Sequence, residues 1–259
     1  MLSAVAITVV AWASAFIAIR SIGTTFDPGP LTLGRLVVGS VALGLLLLAR
    51  RQWVTPNRRE WFLIVLCGLA WFGIYNIALN AGEQRLDAGT AAMLVGVGPI
   101  LIAVLAGALL GEGFPRWLII GTLVAFLGAI VIGAASAHSK STDSLGVILC
   151  LIAAVAYAIG VLAQKPTLRR LPALQVTWLA CTVGAVACLP FAQRLIEQTG
   201  TATPGARASL VYLGLVPTAV AFTTWAYALS HMNAGRLGVT STGPPPHNSW
   251  IGPRATNQA

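Results

Sequence analysis

The chain has 259 residues, of which 57% are hydrophobic and only 9% charged, where soluble domains carry roughly 25% charged residues. That balance, with a mean hydropathy of +0.82, excludes an ordinary water-soluble domain and identifies an integral membrane protein. The net charge of +9 does not point to nucleic acid: the basic residues sit in short gaps between apolar runs and form no stripe, which fits topology and contact with the anionic heads of a lipid bilayer.

A bilayer core about 30 Å thick takes roughly 20 residues of helix, and eight apolar segments of that length follow one another, at 2–19, 31–49, 61–80, 88–110, 117–135, 145–163, 173–192 and 209–229. Backbone in hydrocarbon must satisfy itself, so these are helices. Trp53, Trp61, Trp117 and Tyr212 stand at their ends, at headgroup level. The first span carries Ala-Ser-Ala at 13–15, like a signal-peptide cleavage site, but no Lys or Arg precedes it, and it reads as a retained helix. The gaps after the second, fourth, sixth and eighth spans hold nine Lys or Arg residues against six in the opposite gaps and their edges, where Arg35 is counted. This bias places the N-terminus in the cytoplasm.

Cys67, Cys150, Cys181 and Cys188 lie inside apolar runs without metal-site or disulfide spacing and read as packing residues; no metal or cofactor is expected. His138, His231 and His247 fall near segment ends or in the tail and read as solvated. Gly107 and Gly111, and Gly121 with Gly128, offer small surfaces for close helix packing.

The chain resembles itself. Residues 84–94 align with 230–240 at an offset of 146, sharing Ala88-Gly89 and Ala234-Gly235, and the run ending at Arg20 aligns with that ending at Lys165 at an offset of 145, with Trp12 over Tyr157. Such a double match points to duplication. A five-helix unit has an odd number of spans, so its copy enters the membrane inverted.

The stretches "AWASAFIAIR", "NAGEQRLDAGTAAMLVGVGPILIAVLAGALLGE" and "WAYALSHMNAGRLGVT" resemble the EamA type of the drug/metabolite transporter superfamily, across nearly residues 1–240. Pro99 in mid-span, Gly111-Glu112 and the repeated Ala-Gly turn carry the likeness. The resemblance implies an all-α integral membrane fold of ten helices in two inverted five-helix repeats. It also implies export of amino acids or other small metabolites across a bacterial plasma membrane. Here the repeats read as 1–135 and 145–240, with about eight full helices and a ninth interrupted. The last stretch, "STGPPPHNSWIGPRATNQA" at 241–259, is polar and Pro-rich where the first repeat continues apolar. A second expectation follows, of an inactive transporter fragment lacking helices 9 and 10. An intramembrane enzyme is disfavoured, because no HExxH, GxSxG, Walker loop or working carboxylate pair is found.

Substrates of inverted-repeat transporters bind near the midplane between the repeats. Polar and aromatic residues inside the spans therefore mark the cavity: Trp12, Ser14, Tyr75, Asn76, Asn80, Tyr157, Thr224 and Trp225, with Thr218, Thr223 and Tyr227 nearby. Asn76 and Asn80 share a helix face. The alternative for the polar residues is interhelical hydrogen bonding, and for the aromatics, packing. No carboxylate lies in mid-span. Glu83 is the better proton-coupling candidate than Glu112, although Arg85 and Asp87 beside it suggest a surface cluster.

Overall fold

A computed structural model describes residues 2–110, 143–235 and 237. Its regular elements are helical throughout. In chain order they are α1 (Leu2–Ile22), α2 (Pro28–Arg50), α3 (Arg58–Glu83), and α4, which runs as Ala88–Val95 and, past Gly96, as Val97–Leu109. Then come α5 (Ser144–Thr167), α6 (Ala173–Ala187), α7 (Ala192–Thr201) and α8 (Pro204–His231). Among the described residues six helices are long and apolar enough to cross a membrane, and α6 with α7, bent by 54°, raises this to seven. The expected fifth span at 117–135, Gly111-Glu112, Gly121, Gly128, His138 and the 241–259 tail lie outside the described residues.

Several helices start earlier than hydropathy places them, because caps rather than apolar residues set the first turn. Asn57 and Glu60 form a reciprocal capping box at the head of α3, with bonds of 2.9 and 2.7 Å. Asp143 accepts from the Leu145 amide at 2.9 Å, and Thr203 caps α8 with Pro204 behind it. Pro28 starts α2. The seventh span ends differently from expectation: Pro190, in the turn Leu189–Phe191, has no amide hydrogen to carry the helical ladder. The chain bends there into polar α7, whose Gln198 binds Asp27 at 2.7 Å.

Outward-facing side chains such as Ile17, Leu48 and Leu109, each at least 70% exposed, are apolar, as a lipid-facing surface requires. The large inward side chains meet where α1, α3, α5 and α8 converge.

The repeat is written into the contacts. Gly68 opens a π-helical stretch in α3 (Gly68–Tyr75) and Gly214 opens another in α8 (Gly214–Val220), 146 positions on. A methyl group on Gly68 would lie 2.7 Å from both the Ala180 carbonyl oxygen and Val183 Cβ of α6. One on Gly214 would lie 2.9 Å from the Arg35 oxygen and 2.5 Å from Val38 Cβ of α2. Conversely, Gly39 of α2 sits over the Gly214 carbonyl and Gly184 of α6 over that of Gly68, with 3.1 Å to each oxygen from the added carbon. Every partner is displaced by 145 or 146 residues, so both copies build the same helix crossing.

Candidate functional site

Trp12 of α1 stands at the centre of the convergence. Its ring lies 5.1 Å from Trp225, 5.5 Å from Phe222, 6.1 Å from Trp71 and 6.2 Å from Tyr157. Its Nε1 donates to the Pro217 carbonyl at 3.3 Å, within the π-helical stretch of α8. Tyr157, its counterpart at the 145 offset, stacks 5.2 Å from Trp71 in the π-helical stretch of α3. The rings are held by absent side chains elsewhere: Gly160 leaves room for Trp71, and Gly98 for Tyr157, where an added carbon would lie 2.4 and 2.5 Å away. Trp225 is 1% exposed, yet its Nε1 has no hydrogen-bond partner among the described residues.

A polar wall adjoins the rings. Asn76 Nδ2 donates to the Trp71 and Phe72 carbonyls at 3.1 and 3.0 Å, ending the π-helical stretch, while its Oδ1 is buried without a partner among the described residues. Asn80 Nδ2 instead bonds Thr32 Oγ1 on α2 at 2.9 Å. The two amides therefore separate: Asn76 helps line a small cavity of about 20 Å³ with Trp12, Phe16, Ile19, Arg35 and Tyr75, and Asn80 does not.

By hydropathy alone Arg35 reads as a charge at the edge of the second span. Because α2 begins at Pro28, Arg35 sits two turns inside it. It is 3% exposed, and its Nε donates to Thr218 Oγ1 at 3.1 Å. A cation within an apolar run is the signal that reveals it. Trp71 is legible by spacing alone, one turn before Tyr75.

Beyond Ile19, which is 1% exposed, a cavity of about 410 Å³ opens between the ends of α1 and α3, lined by Ile19, Arg20, Gly23, Thr24, Glu83 and Gln84. Glu83 is 4% exposed, with neither carboxylate oxygen hydrogen-bonded among the described residues. The surface cluster with Arg85 and Asp87 does not form. Arg85 reaches Asp143 at 2.9 Å and its guanidinium holds that carboxyl below the usual range; Asp87, lowered by hydrogen bonds from Thr90, caps α4. The reason is helical geometry: Glu83 still belongs to α3 and faces α1, whereas Arg85 and Asp87 lie beyond the helix end.

Other expected residues lie apart. Ser14 pairs with Tyr212 at 2.6 Å on an exposed face, and Thr224 bonds Thr8 at 2.7 Å across the α1–α8 contact. Thr223 bonds back to Ala219, and Tyr227 stacks on His231 near the surface. Among the described residues no group of three His, Cys, Asp or Glu is placed to hold a metal.

The model of the EamA-like transporter family matches residues 1–134 and 144–244. The chain belongs to the EamA-like transporter family. This EamA protein is thus a multi-pass membrane transporter, not an enzyme. It is 39% identical to a protein of Streptantibioticus cattleyicolor described as a probable terminal-alkyne amino-acid exporter, over 89% of this chain and 76% of the relative. It is 33% identical to the uncharacterized transporter YdfC of Bacillus subtilis, over 86% of this chain and 72% of the relative. A crystal structure with 20% identity superposes with a TM-score of 0.72, covering 92% of this chain and 84% of that one, which shows a shared fold.

Proposed function

We propose that this EamA protein exports small amino-acid or amine-like metabolites across a bacterial plasma membrane, with its N-terminus in the cytoplasm, by alternating access of repeats spanning 1–135 and 145–240. The carrying observation is the pair of cavities along α1 and α3, an inner one walled by Trp12, Tyr75, Asn76 and Arg35 and an outer one, with Ile19 lining both. Trp12, Tyr75, Asn76, Tyr157 and Trp225 form the substrate region in this reading. Ser14, Asn80 and Thr224 brace helices around it. The exporter description of the Streptantibioticus relative supports the amino-acid class and the direction.

Glu83 is the proton-coupling group of this proposal. It is a buried carboxylate without a protein hydrogen-bond partner among the described residues, on a residue that lines the outer cavity together with Arg20. Such a group takes up and releases protons as the cavity changes access.

The test is counterflow of radiolabelled amino acids and amines in proteoliposomes containing the full chain. Flux of at least one such solute above empty liposomes is expected, accelerated by an imposed proton gradient. The Glu83→Gln variant should lose that acceleration while still exchanging solute. Absence of any flux across the panel rejects the transport proposal; unchanged gradient dependence in Glu83→Gln rejects the coupling role.

A further inference from the structure

We infer that Lys165 is the clasp that holds one end of the transport pathway shut, that buried Gln164 beside it biases the clasp toward release, and that Arg20 takes the equivalent place when the opposite end closes. This rests on the transport reading above and names its gate residues.

The repeat places matching groups at opposite membrane faces. At the offset of 145, Ile19 and Arg20 of α1 match Gln164 and Lys165 of α5, and at 146 the end of α3 at Glu83 matches that of α8 at Leu229. In the orientation proposed above, the first set lies at the outer face and the second at the cytoplasmic face.

The two ends stand in different states. Lys165 Nζ crosses from α5 to α8 and donates to the Leu229 carbonyl at 2.7 Å and to that of Met232. Helix α8 ends at His231, so the helical ladder supplies no donor to the carbonyls there, and a cation also meets the negative end of the helix dipole. Leu229, Ala234 and Leu237 are fully buried around this crossing. At the other end Arg20 stands exposed on the wall of the outer cavity of about 410 Å³. The positions that match Leu229 and Met232 are Glu83 and Leu86, whose carbonyls Arg20 takes as acceptors when that cavity closes. The two sides are already within reach: Gln84 holds the end of α3 against the loop after α1, donating to the Gly23 and Phe26 carbonyls at 3.0 and 3.1 Å.

Gln164 opposes the clasp. It is fully buried, and neither its Nε2 nor its Oε1 has a hydrogen-bond partner among the described residues. Stranding a donor and an acceptor away from water is costly, and water entering between α5 and α8 relieves that cost. Ile19, its counterpart, carries no polar group. Charged bonds thus hold the end shut while the neighbouring amide keeps it from locking.

The rest of the molecule supplies a frame for this exchange. Gln175 of α6 pairs with both backbone groups of Val54 after α2, at 2.9 and 2.6 Å. On the opposite face Gln198 of α7 pairs with the Asp27 amide and carboxylate before α2, at 3.1 and 2.7 Å. Helix α2 is therefore tied to the α6 and α7 unit at both faces, and the ends of α1, α3, α5 and α8 are the parts that move.

Hydrogen exchange of the full chain in lipid nanodiscs, followed by mass spectrometry, tests the clasp. Lys165→Met should speed exchange at 163–169 and 228–234 by about tenfold or more, and Lys165→Arg, which keeps the charge and donors, should stay within about threefold of the native chain. Gln164→Leu should slow the same segments by about fivefold or more. Arg20→Met is the decisive variant, because it removes the other state's clasp: it should slow exchange at 163–169 and 228–234, on the far face, by about tenfold. A lysine that merely caps α8 responds to its own replacement and to nothing at Arg20, so unchanged far-face exchange in Arg20→Met overturns the inference. Faster or unchanged exchange in Gln164→Leu overturns the opposing role of the amide. Where Lys165→Met does not fold, Arg20→Met and Gln164→Leu decide alone. Linked exchange at the two faces without solute flux in proteoliposomes refutes the transport reading and leaves the clasp standing; flux without such linkage does the reverse.

Discussion

Asn76 ties chemistry to backbone geometry at a single position. Its amide satisfies the carbonyls at the end of the widened turn in α3. Asn76→Leu leaves those carbonyls with less than their share of donors and is expected to lower stability by about 1–2 kcal/mol, measured by unfolding of the purified protein in detergent. Asn76 was legible as a polar residue in an apolar run, but its role was not, because spacing says nothing of which groups it faces. Asn80 shows the same limit: four residues away on the same helix, it is taken up by Thr32. Arg35 was present in the sequence and discounted, because the apolar run starts at residue 31 while the helix starts at Pro28.

The two widened turns behave as a matched pair of elements. Gly68 and Gly214 each admit a neighbouring helix backbone at the distances that packing around an absent side chain allows. Gly68→Ala and Gly214→Ala should therefore each destabilise by about 1–3 kcal/mol, and by similar amounts. Gly200→Ala in α7 meets nothing within 4 Å, and should instead stabilise by about 0.5–1 kcal/mol through helix propensity. Thermal unfolding of the three variants side by side checks both statements. Hydropathy located all the apolar spans that fall among the described residues, since length and apolarity suffice for that. It was blind to the widened turns, because a run of apolar residues reads the same whether the turn holds 3.6 residues or more. It also missed the bend after α6, although Pro190 and the polar residues beyond it were available as signals.

At the scale of the molecule, the four cysteines make orientation measurable. Cys67, Cys150, Cys181 and Cys188 are at most 1% exposed, so the native chain should resist a membrane-impermeant maleimide. Thr24 on the rim of the outer cavity and Gln52 after α2 are exposed at opposite membrane faces. With a cytoplasmic N-terminus, Thr24→Cys labels in intact cells and Gln52→Cys only after the cells are opened. The reverse pattern rejects that orientation and the positive-inside argument behind it.

Composition and periodicity by themselves determined that this is a helical membrane protein, where most of its spans lie, and that its two halves share one ancestral pattern. Those properties depend on transfer of side chains to hydrocarbon and on residue order, both local. Tertiary structure alone decided that Trp12, Trp71, Tyr157, Phe222 and Trp225 form one cluster. It also decided that Ser14 and Thr224 join other contacts, that Glu83 is buried while Arg85 pairs elsewhere, and that Arg35 and Asn76 line one small cavity. The physical reason is that a helix presents every side chain somewhere around its axis, and only the packing of a second helix settles which of them meet.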